Sequence, residues 1–349
     1  LWNFDSGDLS ATAGLDMEYM EDTGDLVTFG TTEALGIPAV GGEVANVIQI
    51  PKLATGQGLL ASLPEDSNGE GDLVNNWTAI MDVYYPVGST GKKRSLIDVV
   101  TAEWVAGAAD AEFYVSAANA VGTSGLDFGN VTPGEWHRIA IALNIEGLWG
   151  KVYIDGQHAG SLTAPEDSLD GRWSLDTAFE QMVTFFNDDN NESEEVFVSS
   201  IQLRFETLNT GQILALGGAA AAGVPEELPP VPSFVDLWTP SGKYAKADTA
   251  LSAVINSGDT TISNASISLT LNGEAIASDV ASADGVITVT ASGAAALAKG
   301  VKYELVLTYT DSTAGEQTQT RKFEVPVYFE DFDSVELGPN VDELAVQNE

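Results

Sequence analysis

The chain has 349 residues, with 14 Lys and Arg against 52 Asp and Glu and no cysteine. A formal charge of −38 repels phosphate backbones and anionic bilayers, which excludes nucleic acid as a partner. The lack of thiols excludes disulfides, thiolate catalysis and Cys-based metal sites.

The length points to two domains, and 44% hydrophobic residues supply material for a core in each. No run approaches the ~20 apolar residues of a membrane span. Leu1 in place of Met, together with the absence of cysteine, fits a processed, exported bacterial chain.

In chain order, residues 1–6 read as a short first strand, and 26–29 and 44–50 as further ones. Residues 77–85 alternate, with Met81, Val83 and Tyr85 on one face and Ile80 and Tyr84 on the other, and Pro86 ends the run. Segments 96–100 and 112–115 follow. In 131–162, Ile139, Ile141 and Leu143 oppose Arg138, Ala140 and Ala142. Val152 and Ile154 then lead into the tight-turn dipeptide Asp155-Gly156, so this stretch predicts a half-buried antiparallel hairpin. Segments 181–186 and 196–205 close the module, and 209–216 predicts a short helix.

Residues 217–233, alanine- and glycine-rich and then proline-rich, predict a semi-stiff linker. Beyond it, 265–271 and 301–309 alternate cleanly. Asn272-Gly273 and Asp284-Gly285 mark hairpin turns, and 318–327 is the last strand. About seven short strands in this stretch read as a second sandwich. The expected organisation is all-β: a jelly-roll domain over 1–216, the linker over 217–233, a smaller sandwich over 234–328 and an acidic segment over 329–349.

The run PGEWHRIA, followed after a polar loop by KVYIDGQHAG, resembles the central hairpin of LamG-like (concanavalin A-like) jelly-roll domains. The second module resembles the immunoglobulin-like domains of large bacterial surface proteins, without the cysteine pair of antibody domains. The resemblance implies adhesive or structural work at a bacterial cell surface, and a calcium ion at the sandwich rim. Calcium takes six to eight oxygen ligands. The oxygen-rich loop NDDNNESEE offers Asp188, Asp189, Asn190 and Glu192 for it.

Catalytic signatures are poor. His137 and His158 read as ordinary strand and turn residues. There is no nucleophile elbow, phosphate loop or HExxH run. Glycosidases of the jelly-roll class carry an ExDxxE strand; the nearest run here, MEYMED, offers Glu18 and Glu21 without the central Asp. Glycan binding requires exposed aromatic platforms, for which Trp149, Trp104 and Trp173 are the candidates, whereas Trp77 and Trp136 read as core.

Segment 329–349 opens FEDFDS, an echo of WNFDS at residues 2–6. It suggests a docking segment for a neighbouring copy or module, with Phe329, Phe332, Asp333, Val335 and Leu337 at the contact. The leading expectation is therefore a non-catalytic, extracellular adhesive protein that assembles head to tail. A carbohydrate-binding module and a divergent jelly-roll glycosidase are the alternatives.

Overall fold

The computed structural model describes residues 1–62, 67–99, 111–164, 173–177, 183–187, 192–292 and 296–327. The chain divides into two compact units, Leu1–Val231 and Pro232–Glu349.

The first unit carries β1 (Met17–Met20), β2 (Thr28–Thr31), β3 (Asn46–Ile50), β4 (Gly58–Ala61), β5 (Leu73–Val74), β6 (Asn76–Tyr84), β7 (Arg94–Val99) and β8 (Phe113–Val115). It continues with β9 (Val121–Thr123), β10 (Leu126–Phe128), β11 (Trp136–Asn144), β12 (Trp149–Ile154), β13 (Gln157–Thr163), β14 (Leu175–Asp176), β15 (Val183–Phe185) and β16 (Val196–Arg204). Two seven-stranded sheets form, in the orders β1-β4-β15-β7-β8-β9-β10 and β13-β12-β11-β6-β16-β3-β2, and every pairing is antiparallel. Alternation turns Ile139, Ile141, Leu143, Met81 and Val83 of one sheet toward Leu59, Ile97, Val99, Phe113 and Phe185 of the other, forming one core. The unit is a jelly-roll β-sandwich.

The predicted hairpin is present as β11 and β12, with Ile139 opposite Ile154 and Asn144 opposite Trp149. It is buried on both faces, however, not one. Ile80, Ala140, Ala142 and Tyr153, on the side away from the main core, pack against Leu208, Ile213, Leu216 and Val224. The helix α1 (Thr210–Leu216) supplies part of that cover. Its start is a capping box: the Asn209 side chain accepts from the Gln212 amide at 3.0 Å, and the Gln212 side chain accepts from the Asn209 amide at 2.9 Å.

The expected linker over 217–233 needs correction, because residues up to Val231 belong to the first unit. Val224 is buried and its amide donates to Ser200 Oγ at 3.0 Å. The small residues that suggested a spacer instead permit close approach. A Cβ on Gly223 would stand 2.4 Å from Asn3 Oδ1, and its φ of +74° is also one that glycine tolerates best. The expected first strand over 1–6 reduces to a single bridge between Trp2 and Ile201.

The second unit holds β17 (Phe234–Thr239), β18 (Ser252–Asn256), β19 (Ser268–Leu271), β20 (Glu274–Ile276), β21 (Ser278–Ala283), β22 (Val286–Ala291), β23 (Val301–Asp311) and β24 (Gly315–Val325). They form two four-stranded sheets, β17-β18-β22-β21 and β20-β19-β23-β24, around Ala253, Ile255, Val289, Leu305, Leu307 and Tyr309. Asn272-Gly273 and Asp284-Gly285 turn two-residue hairpins with both φ positive, as does Asp155-Gly156 in the first unit. Buried Asp311 ties this unit's entry and its β23–β24 turn together. It accepts from Ser233, from Thr260 Oγ1 at 2.7 Å, and from the Thr313 and Ala314 amides at 2.7 and 2.9 Å. Burial alone would raise its carboxyl, but these donors hold it well below the ordinary carboxylate range.

Candidate functional site

Registers across the β1-containing sheet set Glu18 opposite Leu60, Leu60 opposite Thr184, and Thr184 opposite Asp98. Their strand neighbours Met17, Leu59, Ala61, Val183, Phe185, Ile97 and Val99 fill the core, so this row lies on the sheet's other face. Asp98 and Thr184 are nonetheless fully buried. Glu112, just before β8, joins them: its Oε2 accepts from the Val99 amide at 2.9 Å and its carboxyl hydrogen-bonds Asp98. Asn187, also fully buried, brings Nδ2 to 3.5 Å from Asp98 Oδ2. Thr184 Oγ1 and Asn187 Oδ1 are buried without a hydrogen-bond partner.

Loss of water raises the Glu112 carboxyl well above its ordinary value, and the adjacent Asp98 raises it further. As a residue Glu112 keeps some exposed surface, but the end that titrates is the one turned to Asp98 and the Val99 amide. A charge on Asp98 therefore disfavours a second charge on Glu112. A glycosidase sets its two carboxyls about 5–9.5 Å apart with the sugar between them. Two carboxyls bonded to each other leave no such gap. The MEYMED carboxyls Glu18 and Glu21 are both exposed, on and just after the edge strand β1.

Two further acid–base pairs of the first unit, His137–Asp155 and Arg138–Asp82, are also engaged. His137 accepts from the Thr132 amide at Nε2 (3.0 Å) and meets Asp155 Oδ2 at Nδ1 (2.7 Å). The proton therefore belongs on Nδ1, which anchors the Asp155-Gly156 turn. Burial works to raise the Asp155 carboxyl, but the His137 bond and the Arg138 amide pull it below its usual value. Arg138 Nε and Nη2 reach Asp82 Oδ1 and Oδ2 at 2.6 and 2.7 Å, and both side chains are buried. The same guanidinium donates to the Leu216 and Gly223 carbonyls at 2.6 and 3.0 Å, pinning the segment after α1 to the sheet. Burial raises the Asp82 carboxyl against the pull of Arg138.

Of the four expected calcium ligands, Asp188, Asp189 and Asn190 lie outside the described residues. Glu192 is described, and its carboxylate meets Lys93 Nζ at 2.5 Å. The neighbouring Glu194 carries both Lys52 and Lys92, at 3.0 and 2.6 Å. Lysines thus face Glu192 and Glu194, while Glu195 accepts from Gln49 at 2.7 Å. Among the described residues no three His, Asp or Glu side chains gather as a metal site.

Of the three tryptophan candidates, Trp104 lies outside the described residues. Trp173 is corrected to core: it is buried against Phe113, with ring centroids 5.8 Å apart, and its carbonyl accepts from Trp77 Nε1. Trp149 is half-buried at the start of β12 with Lys151 Nζ 5.2 Å from its ring centroid. Trp136, read from sequence as core, is also half-buried. It lies across from Tyr84, which lies across from Phe197, and these rings stand 5.6 and 5.9 Å apart on the outer face. Strand alternation puts Trp136 on the face opposite Ile139, but only the registers show that Tyr84 and Phe197 continue the row. The contact residues Phe329, Phe332, Asp333, Val335 and Leu337 lie outside the described residues.

No family model matches the chain, and no curated protein matches it. Solved structures resemble it weakly. A heptameric pentraxin from Limulus polyphemus is 14% identical, with a TM-score of 0.32 over 44% of this chain and 79% of its own. A sialidase from Trypanosoma rangeli is 12% identical, with a TM-score of 0.36 over 52% of this chain but only 28% of its own length. The receptor-binding domain of a botulinum neurotoxin C/D mosaic is 10% identical, with a TM-score of 0.36 over 87% of this chain and 68% of its own.

Proposed function

We propose that the chain is a non-catalytic adhesive or structural protein of the extracellular, exported bacterial class, and that it associates with further copies of itself or with neighbouring modules. The observation that carries this reading is the engagement of three acid–base groups in the first unit. A general acid or base has to meet substrate. Here His137 is bonded at both ring nitrogens, Asp82 is held by Arg138, and Glu112 is bonded to Asp98. The sequence resemblance to LamG-like and immunoglobulin-like modules supports the same reading. So does the second unit's strand order: lettered from β17, it is A-B-E-D against C′-C-F-G.

The reading is tested by incubating the purified chain with a panel of polysaccharides, measuring reducing-sugar release, and imaging the same preparation by electron microscopy. Oligomers without sugar release are expected. Sugar release that Glu112→Gln abolishes would overturn the non-catalytic reading. A calcium ion in the 187–195 loop belongs to the same proposal, and it would have to displace Lys93 to recruit Glu192. A melting temperature that a chelator leaves unchanged would remove it. Carbohydrate binding is the second reading, favoured by the half-buried Trp149. Glycan-array binding lost in Trp149→Ala would establish it.

A further inference from the structure

β24 is an edge strand of eleven residues with β23 as its strand partner. In an antiparallel ladder the backbone groups of alternate residues point to opposite sides. Glu324 fixes the parity here: its amide donates to the Lys243 carbonyl and its carbonyl accepts from Ala245, both on the side away from β23. Two-residue steps back along the strand place the amides and carbonyls of Lys322, Thr320 and Thr318 on that same open side. Among the described residues these six groups have no partner strand, and all three residues are exposed. The stretch contains no proline to blunt it.

The open edge is also where an acidic protein turns basic. Lys243, Lys302 and Lys322 gather there, three of the chain's 14 Lys and Arg residues. Lys243, Asn272, Lys302, Glu304, Lys322 and Glu324 border a depression of about 350 Å³ beside the strand. Glu304 pairs with Lys322 at 2.9 Å, and the three lysines outnumber Glu304 and Glu324 within a chain of −38.

We propose that the Thr318–Lys322 edge of β24 is an acceptor for an extended acidic polypeptide, and that the occupant is residues 329–337 of a second copy. This rests on the self-associating reading above and names its acceptor. The stretch FEDFDSVEL carries Glu330, Asp331, Asp333 and Glu336 and no basic residue. It is free of proline, so it can donate and accept along a strand. An open row of backbone groups favours a peptide over an acidic polysaccharide, which has no amide ladder to offer. A second copy is favoured over the same copy because Lys243 and Ala245 already occupy the edge beside Glu324. They block a tight return from the end of β24.

The test uses the full chain, a labelled peptide of residues 329–337, and two variants whose folding is checked by thermal melting. Lys302→Glu with Lys322→Glu reverses the charge on the exposed face. Thr320→Pro deletes an amide that points to solvent, so it removes no ladder bond to β23. Anisotropy should show peptide binding weakened about tenfold or more by either variant and by added salt, with self-association by light scattering weakened in parallel. Peptide binding unchanged in both variants overturns the acceptor, even if the chain still assembles by another face. Binding that the charge reversal abolishes and Thr320→Pro leaves intact also overturns it, leaving a groove for polyanions. A monomeric chain that binds peptide through this edge supports the acceptor while removing the self-assembling reading.

Discussion

Replacing Asp82 by alanine tests the account of the first unit most directly. The side chain is fully buried and receives two hydrogen bonds from Arg138, itself 3% exposed. In Asp82→Ala the guanidinium stays under the 217–224 segment with only the Leu216 and Gly223 carbonyls for company. Removing one partner of a buried pair costs about 3–5 kcal/mol. For a unit of this size each kcal/mol lowers the melting temperature by about 2–4 °C, so a drop of about 6–20 °C is expected. Scanning calorimetry at neutral pH measures it. Because an isolated buried charge is the costly species, Asp82→Leu with Arg138→Met should recover much of the loss. A single variant melting within about 3 °C of the parent would show that the pair is not desolvated as described.

Glu112→Gln should flatten part of the pH dependence of stability. The Glu112 carboxyl is raised well above 4.5 when folded, so above that pH the unfolded chain releases a proton that the folded chain keeps. The parent therefore loses stability as pH rises toward the folded value, by at most about 1.4 kcal/mol per unit. The variant should gain on the parent in thermal melts as pH rises above 4.5; parallel curves would refute the raised carboxyl. Trp173→Ala should cost about 3–5 kcal/mol in chemical denaturation because the ring is buried against Phe113. Trp149→Ala should change stability by less than about 1 kcal/mol, and equal losses would contradict their different burial.

The strands and turns were legible where the signal is local. Asn272-Gly273, Asp284-Gly285 and Asp155-Gly156 each require positive φ at two adjacent residues, and few dipeptides accept that. Ile139, Ile141 and Leu143 faced the core as their spacing predicted. The second buried face of β11 was illegible, because Ala140 and Ala142 are small enough to be read as a solvent side and their cover comes from Leu208–Val224, far along the chain. The same distance hid the role of 217–224, since a run of glycine and alanine signals a spacer or a close approach equally well. Asp98 and Glu112 were two acids among 52; only the β7–β8 pairing brings them together. Trp173 and Trp149 both lie within two residues of a glycine in sequence, and nothing local tells a core ring from a surface one.

Arg138 gives the first unit a mechanical character as well as a stable one. Its guanidinium grips the carbonyls at both ends of the 216–223 stretch from a strand in the middle of the sheet. A pull arriving through Pro232 therefore meets β16 first, where Arg204 holds the Pro225 and Glu226 carbonyls, and then β11 through Arg138; both strands are interior to the sheet. Optical-trap pulling should show a lower rupture force once Asp82 no longer steadies that grip; an unchanged force would place the load elsewhere.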